Sequence, residues 1–277
     1  MSIRKSAVSG RFYPATKDEI VELFEDIAAH EKSNISNQFA GKEIIGGVVP
    51  HAGYVFSGYH AFHFFDAVKK SNQHFDCVVI VNPNHTGYGV EIALDENDFW
   101  QTPFGNIEID KDFYPLLNFK VSPVAHQHEH SAEVMLPFIQ HFMHSGIKIL
   151  PITMSYQNVD NALTIANALF NASQYLNKKI LLIASSDFSH YIEPKLGKKL
   201  DDLVIHEILK FDSQNVYKTV KDNNITACGF GPIMTLLEYA KLVAQKPVAT
   251  VLRQGNSGET MPSNEVVDYV SILVCKD

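Results

Sequence analysis

KILLIASSDFSH, residues 179–190, is an unbroken apolar run that empties into a polar loop carrying a histidine. An apolar run of this length, bounded by polar turn-formers, reads as a strand buried on both faces of a sheet. Outward from it the same pattern recurs twice. EIIGGVVPHAG (43–53) and FDCVVIVNPNHTG (75–87) each deliver a histidine directly after an apolar strand. Helical periodicity fills the intervals. Thr16 and Glu19 form a capping box ahead of Ile20, Leu23, Phe24 and Ile27. Further helices are expected from a Ser57 cap to about Lys70, from Ser131 to about His144, from Asp160 to Tyr175, and near 200–211, 213–222 and 229–245. Additional strands are expected at 148–154, 248–254 and 267–275, with shorter ones at 91–94 and 107–109.

Strands alternating with helices predict an α/β chain, a three-layer αβα arrangement around a mostly parallel sheet. Glu31 to Gly41 is the most linker-like segment, yet it is short, so residues 1–277 are read as a single domain. The strand order does not follow from the sequence.

Composition narrows the function classes. A formal charge of −8 argues against nucleic acid as a partner. No apolar run approaches the roughly 20 residues that span a bilayer. MSIRKSAVSG lacks the apolar core of a signal peptide. The three cysteines, Cys77, Cys228 and Cys275, cannot all pair, which fits free thiols in a reducing, cytoplasmic setting. Thirteen histidines are many for this length.

In open α/β sheets ligands bind beyond the carboxyl ends of the strands. His51, His85 and the pair Asp187 and His190 all fall there. A lone loop histidine is ordinarily just solvated, but three in one layer point to a site. Cys228 lies in ACGFGP (227–232) at the start of a helix, where the dipole favours a thiolate able to bind metal or attack an electrophile. Cys77 and Cys275 sit inside apolar strands and read as core. HEHSAE (128–133) is dense in potential ligands, and His130 and Glu133 are expected to orient a metal-bound imidazole. His60, His63, His74, His141, His144 and His206 fall on or beside helices and read as structural or surface residues. No zinc-finger, HExxH, P-loop or dinucleotide fingerprint is present, and Ser185-Ser186 lacks the elbow of a serine hydrolase.

SGRFYP (9–14), PHAGYVFSG (50–58), NPNHTG (82–87), HEHSAEVMLPF (128–138), SSDFSHY (185–191) and ACGFGP (227–232) occur in the order seen in the Memo family, and the chain resembles that family over almost its whole length. This family is also called the AmmeMemoRadiSam system protein B group. The resemblance implies a fold similar to class III extradiol ring-cleaving dioxygenases and a metal held by His51, His85 and Cys228. It places Asp187 and His190 in the same pocket, with Asn84 beside His85 and with Phe12, Tyr54 and Phe56 as aromatic wall. It implies iron or copper as cofactor, redox activity, peptide or small-molecule binding in the cleft, and AMMECR-type and radical SAM proteins as partners. Those dioxygenases use two histidines and a carboxylate, whereas a thiolate is softer and also suits zinc. Catechol cleavage therefore does not carry over with the fold. A binding protein without catalysis, and a zinc hydrolase, are the other readings.

Overall fold

The computed structural model describes residues 1–277. In chain order the elements begin with β1 (Ile3–Arg4), α1 (Lys17–Glu31), β2 (Ile44–Val49), α2 (Tyr54–Lys70), β3 (Cys77–Pro83), β4 (Ile92–Leu94), β5 (Phe99–Thr102) and β6 (Gly105–Glu108). There follow α3 (Tyr114–Leu117), β7 (Lys120–Val121), α4 (Pro123–His126), α5 (Leu136–Phe142), β8 (Lys148–Met154), α6 (Val159–Leu176), β9 (Ile180–Ser185) and β10 (His190–Ile192). The remainder is α7 (Pro194–Leu209), α8 (Ser213–Asp222), α9 (Phe230–Val243), β11 (Pro247–Asn256) and β12 (Val266–Lys276).

The large sheet runs β10-β12-β2-β9-β3-β8-β4-β7, and β11 pairs with β12. Its centre, β2-β9-β3-β8, is parallel, while β12 and β4 pair antiparallel on either side. Alternation along the buried strands sorts their side chains into two cores. Val48, Val79, Val81, Leu182 and Ala184 pack with Ile165, Leu169, Ile233 and Leu236 of α6 and α9. Val49, Val78, Ile80, Leu181 and Ile183 pack with Phe24, Phe65 and Phe138 of α1, α2 and α5. Each fully buried phenylalanine contributes about 1.5–3 kcal/mol by removal from water. Two cores on opposite faces of one sheet make the three layers expected. No helix is long and apolar enough to cross a membrane.

Several boundaries differ from the sequence reading. The Thr16–Glu19 capping box is present. Helix α2 starts three residues before Ser57. Its N-cap is Gly53, and the Ser57 hydroxyl donates back to the Ala52 carbonyl at 2.9 Å. The single helix expected from Ser131 is instead a 3₁₀ turn, Glu133–Met135, followed by the short α5. Helix α7 begins at Pro194, capped by the Glu193 carboxylate. A small second sheet, β1-β5-β6, was not expected.

Candidate metal centre

Strands β2, β9 and β3 are neighbours in the parallel core, so their carboxyl ends open side by side. Directly beyond them lie His51, Asp187 and His85. Cys228 arrives from the loop before α9. One ligand atom each from His51, His85 and Cys228 lies within 4.8 Å of the others. Cys228 Sγ is 3.2 Å from His51 Nε2, and the His51 and His85 ring centres are 5.1 Å apart.

Hydrogen bonds set the tautomers. Ser185 Oγ donates to the Ser131 carbonyl at 2.7 Å, which leaves its oxygen to accept from His51 Nδ1–H at 2.8 Å. Glu129 accepts from His85 twice, from the backbone N–H at 2.6 Å and from Nδ1–H at 2.9 Å. In its neutral form each imidazole therefore carries its lone pair on Nε2, that of His51 facing the Cys228 sulfur. That is the form a metal takes, with the other nitrogen tied to a carboxylate or hydroxyl. Two neutral imidazoles and one thiol fit a soft or borderline cation such as copper, iron or zinc.

Glu129 is fully buried and also accepts the His130 and Ser131 N–H groups and the Ser131 hydroxyl. Burial alone would raise its pKa, but the hydrogen bonds from His85 and the Ser131 N–H and the neighbouring His85 and His130 rings outweigh it and bring it to about 2. Burial drives the His51 pKa well below the usual histidine range, and His85, His130 and His190 add to this. His130, its ring 4.7 Å from that of His85 and 4.8 Å from Phe12, is lowered to about 4 by burial. Burial pushes Asp187 up to about 6. Its Oδ1 accepts the His51 N–H at 2.7 Å, and its Oδ2 is 4.0 Å from His51 Nε2.

The thiolate expected at Cys228 from the helix N-terminus is not what the protein alone favours. Burial, then the nearby Asp187 charge, pushes the thiol well above its ordinary pKa. A bound cation reverses that balance, because a coordinating thiol is deprotonated.

A family model described as Memo-like protein matches residues 4–273. The chain belongs to the Memo family. MEMO1 family proteins from Methanococcoides burtonii and Methanococcus vannielii are 38% and 36% identical to it over 279 and 284 residues. They cover 98% of this chain and 100% and 99% of their own lengths. A MEMO1 family protein from Pyrobaculum arsenaticum is 34% identical over 281 residues, 99% of either chain.

Other residues expected at the site of this Memo family chain stand elsewhere. Glu133 does not touch an imidazole. It accepts from Arg4 Nη1 at 2.6 Å, from the Ala7 and Val8 N–H groups and from the Tyr13 hydroxyl, so it anchors the N-terminal segment. The carboxylate on the imidazole is Glu129, four residues earlier in the same acidic stretch. Tyr54 is core, not pocket wall. It is buried against Phe24 and Phe138, and its hydroxyl donates to the Val134 carbonyl at 2.6 Å. Asn84 shapes a turn, its Oδ1 accepting from Thr86 and Gly87 and its Nδ2 donating to Tyr88 and Ser155. Phe12 does lie on His130, and Phe56 is half-buried in the first turn of α2. His190, half-buried, has Nδ1 3.0 Å from the Thr226 carbonyl, which makes Nδ1 the protonated nitrogen.

Proposed function

We propose that this Memo family chain is a cytoplasmic, metal-dependent oxidoreductase that holds iron or copper on His51 Nε2, His85 Nε2 and Cys228 Sγ. The observation behind this reading is the pair of Nδ1–H bonds, to Ser185 and to Glu129, that leave both Nε2 lone pairs beside the thiol. A bound iron or copper ion supplies the electron transfer. The chain supplies geometry and protons. Ser185 and Glu129 hold the two rings in register. Asp187, its pKa raised by burial to about 6 and one oxygen 4.0 Å from His51 Nε2, is placed to hold or release a proton at the site. His190, its Nδ1–H committed to Thr226, presents Nε2 as a second proton acceptor.

The test is metal content of protein purified without oxygen, beside a Cys228→Ser variant, together with oxygen uptake in the presence of a reductant. Near-stoichiometric iron or copper in the wild type, lost in the variant, is the expected result. Equal, sub-stoichiometric metal in both would remove the site.

A second reading, a binding protein on the same scaffold, draws on a different feature. Tyr88, Tyr156 and Tyr191 are all exposed on segments that follow the parallel strands β3, β8 and β9. They suit a peptide or a protein face, with AMMECR-type and radical SAM proteins as the partners to try. Under this reading metal addition leaves oxygen uptake at background while Tyr88→Ala, Tyr156→Ala and Tyr191→Ala weaken partner capture.

A further inference from the structure

Of the four parallel strands, β8 alone sends no ligand or titratable group to the site. The loop after it carries Gln157, whose carboxamide spans the Cys228 loop. Gln157 Nε2 donates to the Cys228 carbonyl at 2.7 Å, and Oε1 accepts the Gly231 N–H at 2.7 Å. The orientation of the amide is fixed by its partners, since a carbonyl can only accept and an N–H can only donate.

The loop between those two contacts is tightly held. A Cβ on Gly229 would meet the Ser185 carbonyl oxygen at 2.2 Å, and one on Gly231 would meet Met154 Sδ at 2.6 Å and Gln157 Cβ at 2.9 Å. Gly229 N–H donates to Ser186 Oγ at 3.0 Å. Cys228 N–H donates to the Asp187 carbonyl at 3.2 Å, and Asp187 N–H reaches Cys228 Sγ at 3.3 Å. The end of β9 therefore fixes Cys228 on its amide side. On its carbonyl side the hydrogen bond is to Gln157. Without that bond the peptide plane between Cys228 and Gly229 is held at one end alone, by the Gly229 N–H on Ser186, and Sγ gains room to shift relative to His51 Nε2.

We propose that Gln157 is a positioning residue that sets the reach of Cys228 toward His51 and His85. The proposal rests on the metal-centre reading above. The position needs a side chain that donates and accepts at once. Methionine has similar length and neither function. Glutamate keeps the acceptor for Gly231 and loses the donor to Cys228.

Three measurements on full-length wild type, Gln157→Met and Gln157→Glu test it: cobalt(II) affinity with the thiolate-to-cobalt absorption band, the iodoacetamide alkylation rate at Cys228 of metal-free protein mapped by mass spectrometry, and the thermal midpoint. Partners that orient a ligand without touching the metal are typically worth 10–100-fold in affinity. The expected result is an affinity loss of about tenfold or more in Gln157→Met with a weakened band and faster alkylation, and a loss at least as large in Gln157→Glu, whose carboxylate faces the Cys228 carbonyl. If Gln157→Met fails to fold, Gln157→Glu against wild type carries the comparison. Unchanged affinity and band in a folded variant overturn the proposal, even if alkylation accelerates. A wild type that binds no cobalt through a thiolate overturns the metal-centre reading itself. Alkylation then still decides whether Gln157 restrains Cys228, an unchanged rate refuting it.

Discussion

Glu129 grips His85 at two points, one oxygen on the backbone N–H at 2.6 Å and the other on ring Nδ1 at 2.9 Å. A carboxylate bound this way fixes both where the histidine sits and which nitrogen is left to face the proposed metal. Glu129→Gln keeps the shape but turns one oxygen into a donor facing other donors. We expect metal affinity to fall about 10–100-fold by titration calorimetry. Glu129→Ala strands several buried N–H groups and should cost about 3–5 kcal/mol in chemical denaturation. Wild-type affinity in Glu129→Gln would show that the grip on His85 is irrelevant to the metal.

Arg4 is the support beneath that grip. It lies 4.0 Å over the Trp100 ring, and its guanidinium bonds the His126 carbonyl, the Glu129 carbonyl and the Glu133 carboxylate. Removing one partner of a buried ion pair leaves the other charge uncompensated. Arg4→Ala should therefore destabilise by about 3–5 kcal/mol. Arg4→Lys should recover only part, because an ammonium cannot reproduce the planar fork. Urea unfolding of the two variants checks the order, and equal midpoints for lysine and arginine would refute it.

The pH dependence of stability has two arms of opposite sign. Asp201 and Asp268 are buried, each with one oxygen that has no donor. Burial pushes both pKa values up from 3.8, Asp201 further, to about 8. The folded protein keeps these protons where the unfolded chain has lost them. This contribution is full below about pH 4 and declines as pH rises toward 8. Glu31 behaves in the opposite way. Burial would raise its pKa, but bonds from Arg253 and His63 bring it to about 2, so its contribution is present above pH 4.5 and lost as pH falls through 2. Asp201→Asn should flatten the alkaline arm and leave the acid arm intact in denaturation series across pH. An unaltered alkaline slope would exclude Asp201 as its source.

Gly229→Ala places a methyl group against the Ser185 backbone, which cannot step aside as a side chain can. Overpacking of this kind costs about 1–3 kcal/mol. Because the displaced residue adjoins Cys228, metal affinity should drop alongside the melting temperature. A variant that melts early yet binds metal normally would separate the two effects.

What could be read from the sequence was local. The capping box of α1, the apolar runs of β2, β3 and β9, and the strand-end histidines depend on neighbours along the chain. The misplaced features depend on tertiary partners. Ser57 reads as a cap, but the Tyr54 N–H is taken by the Phe12 carbonyl at 2.7 Å, so α2 begins earlier. Glu129 and Glu133 lie in one acidic stretch, and only the fold sends one to His85 and the other to Arg4. β1 and β5 carry too few residues for an alternation to emerge. Gln157 is a loop glutamine with no signal at all until Cys228 is folded beside it.

The strand that delivers His51 has an unusual dependence. β2 lies between β9 and β12, and Val48 is opposite Ile272. Chain synthesised only as far as Cys228 would contain every proposed ligand, yet β2 would still lack the neighbour that closes one edge. Pairings between residues so distant in sequence form late, because the entropy of closing the loop is paid first. Topology therefore orders the folding: the arrangement of the proposed ligands is completed only after the residues beyond Cys228 have joined the sheet.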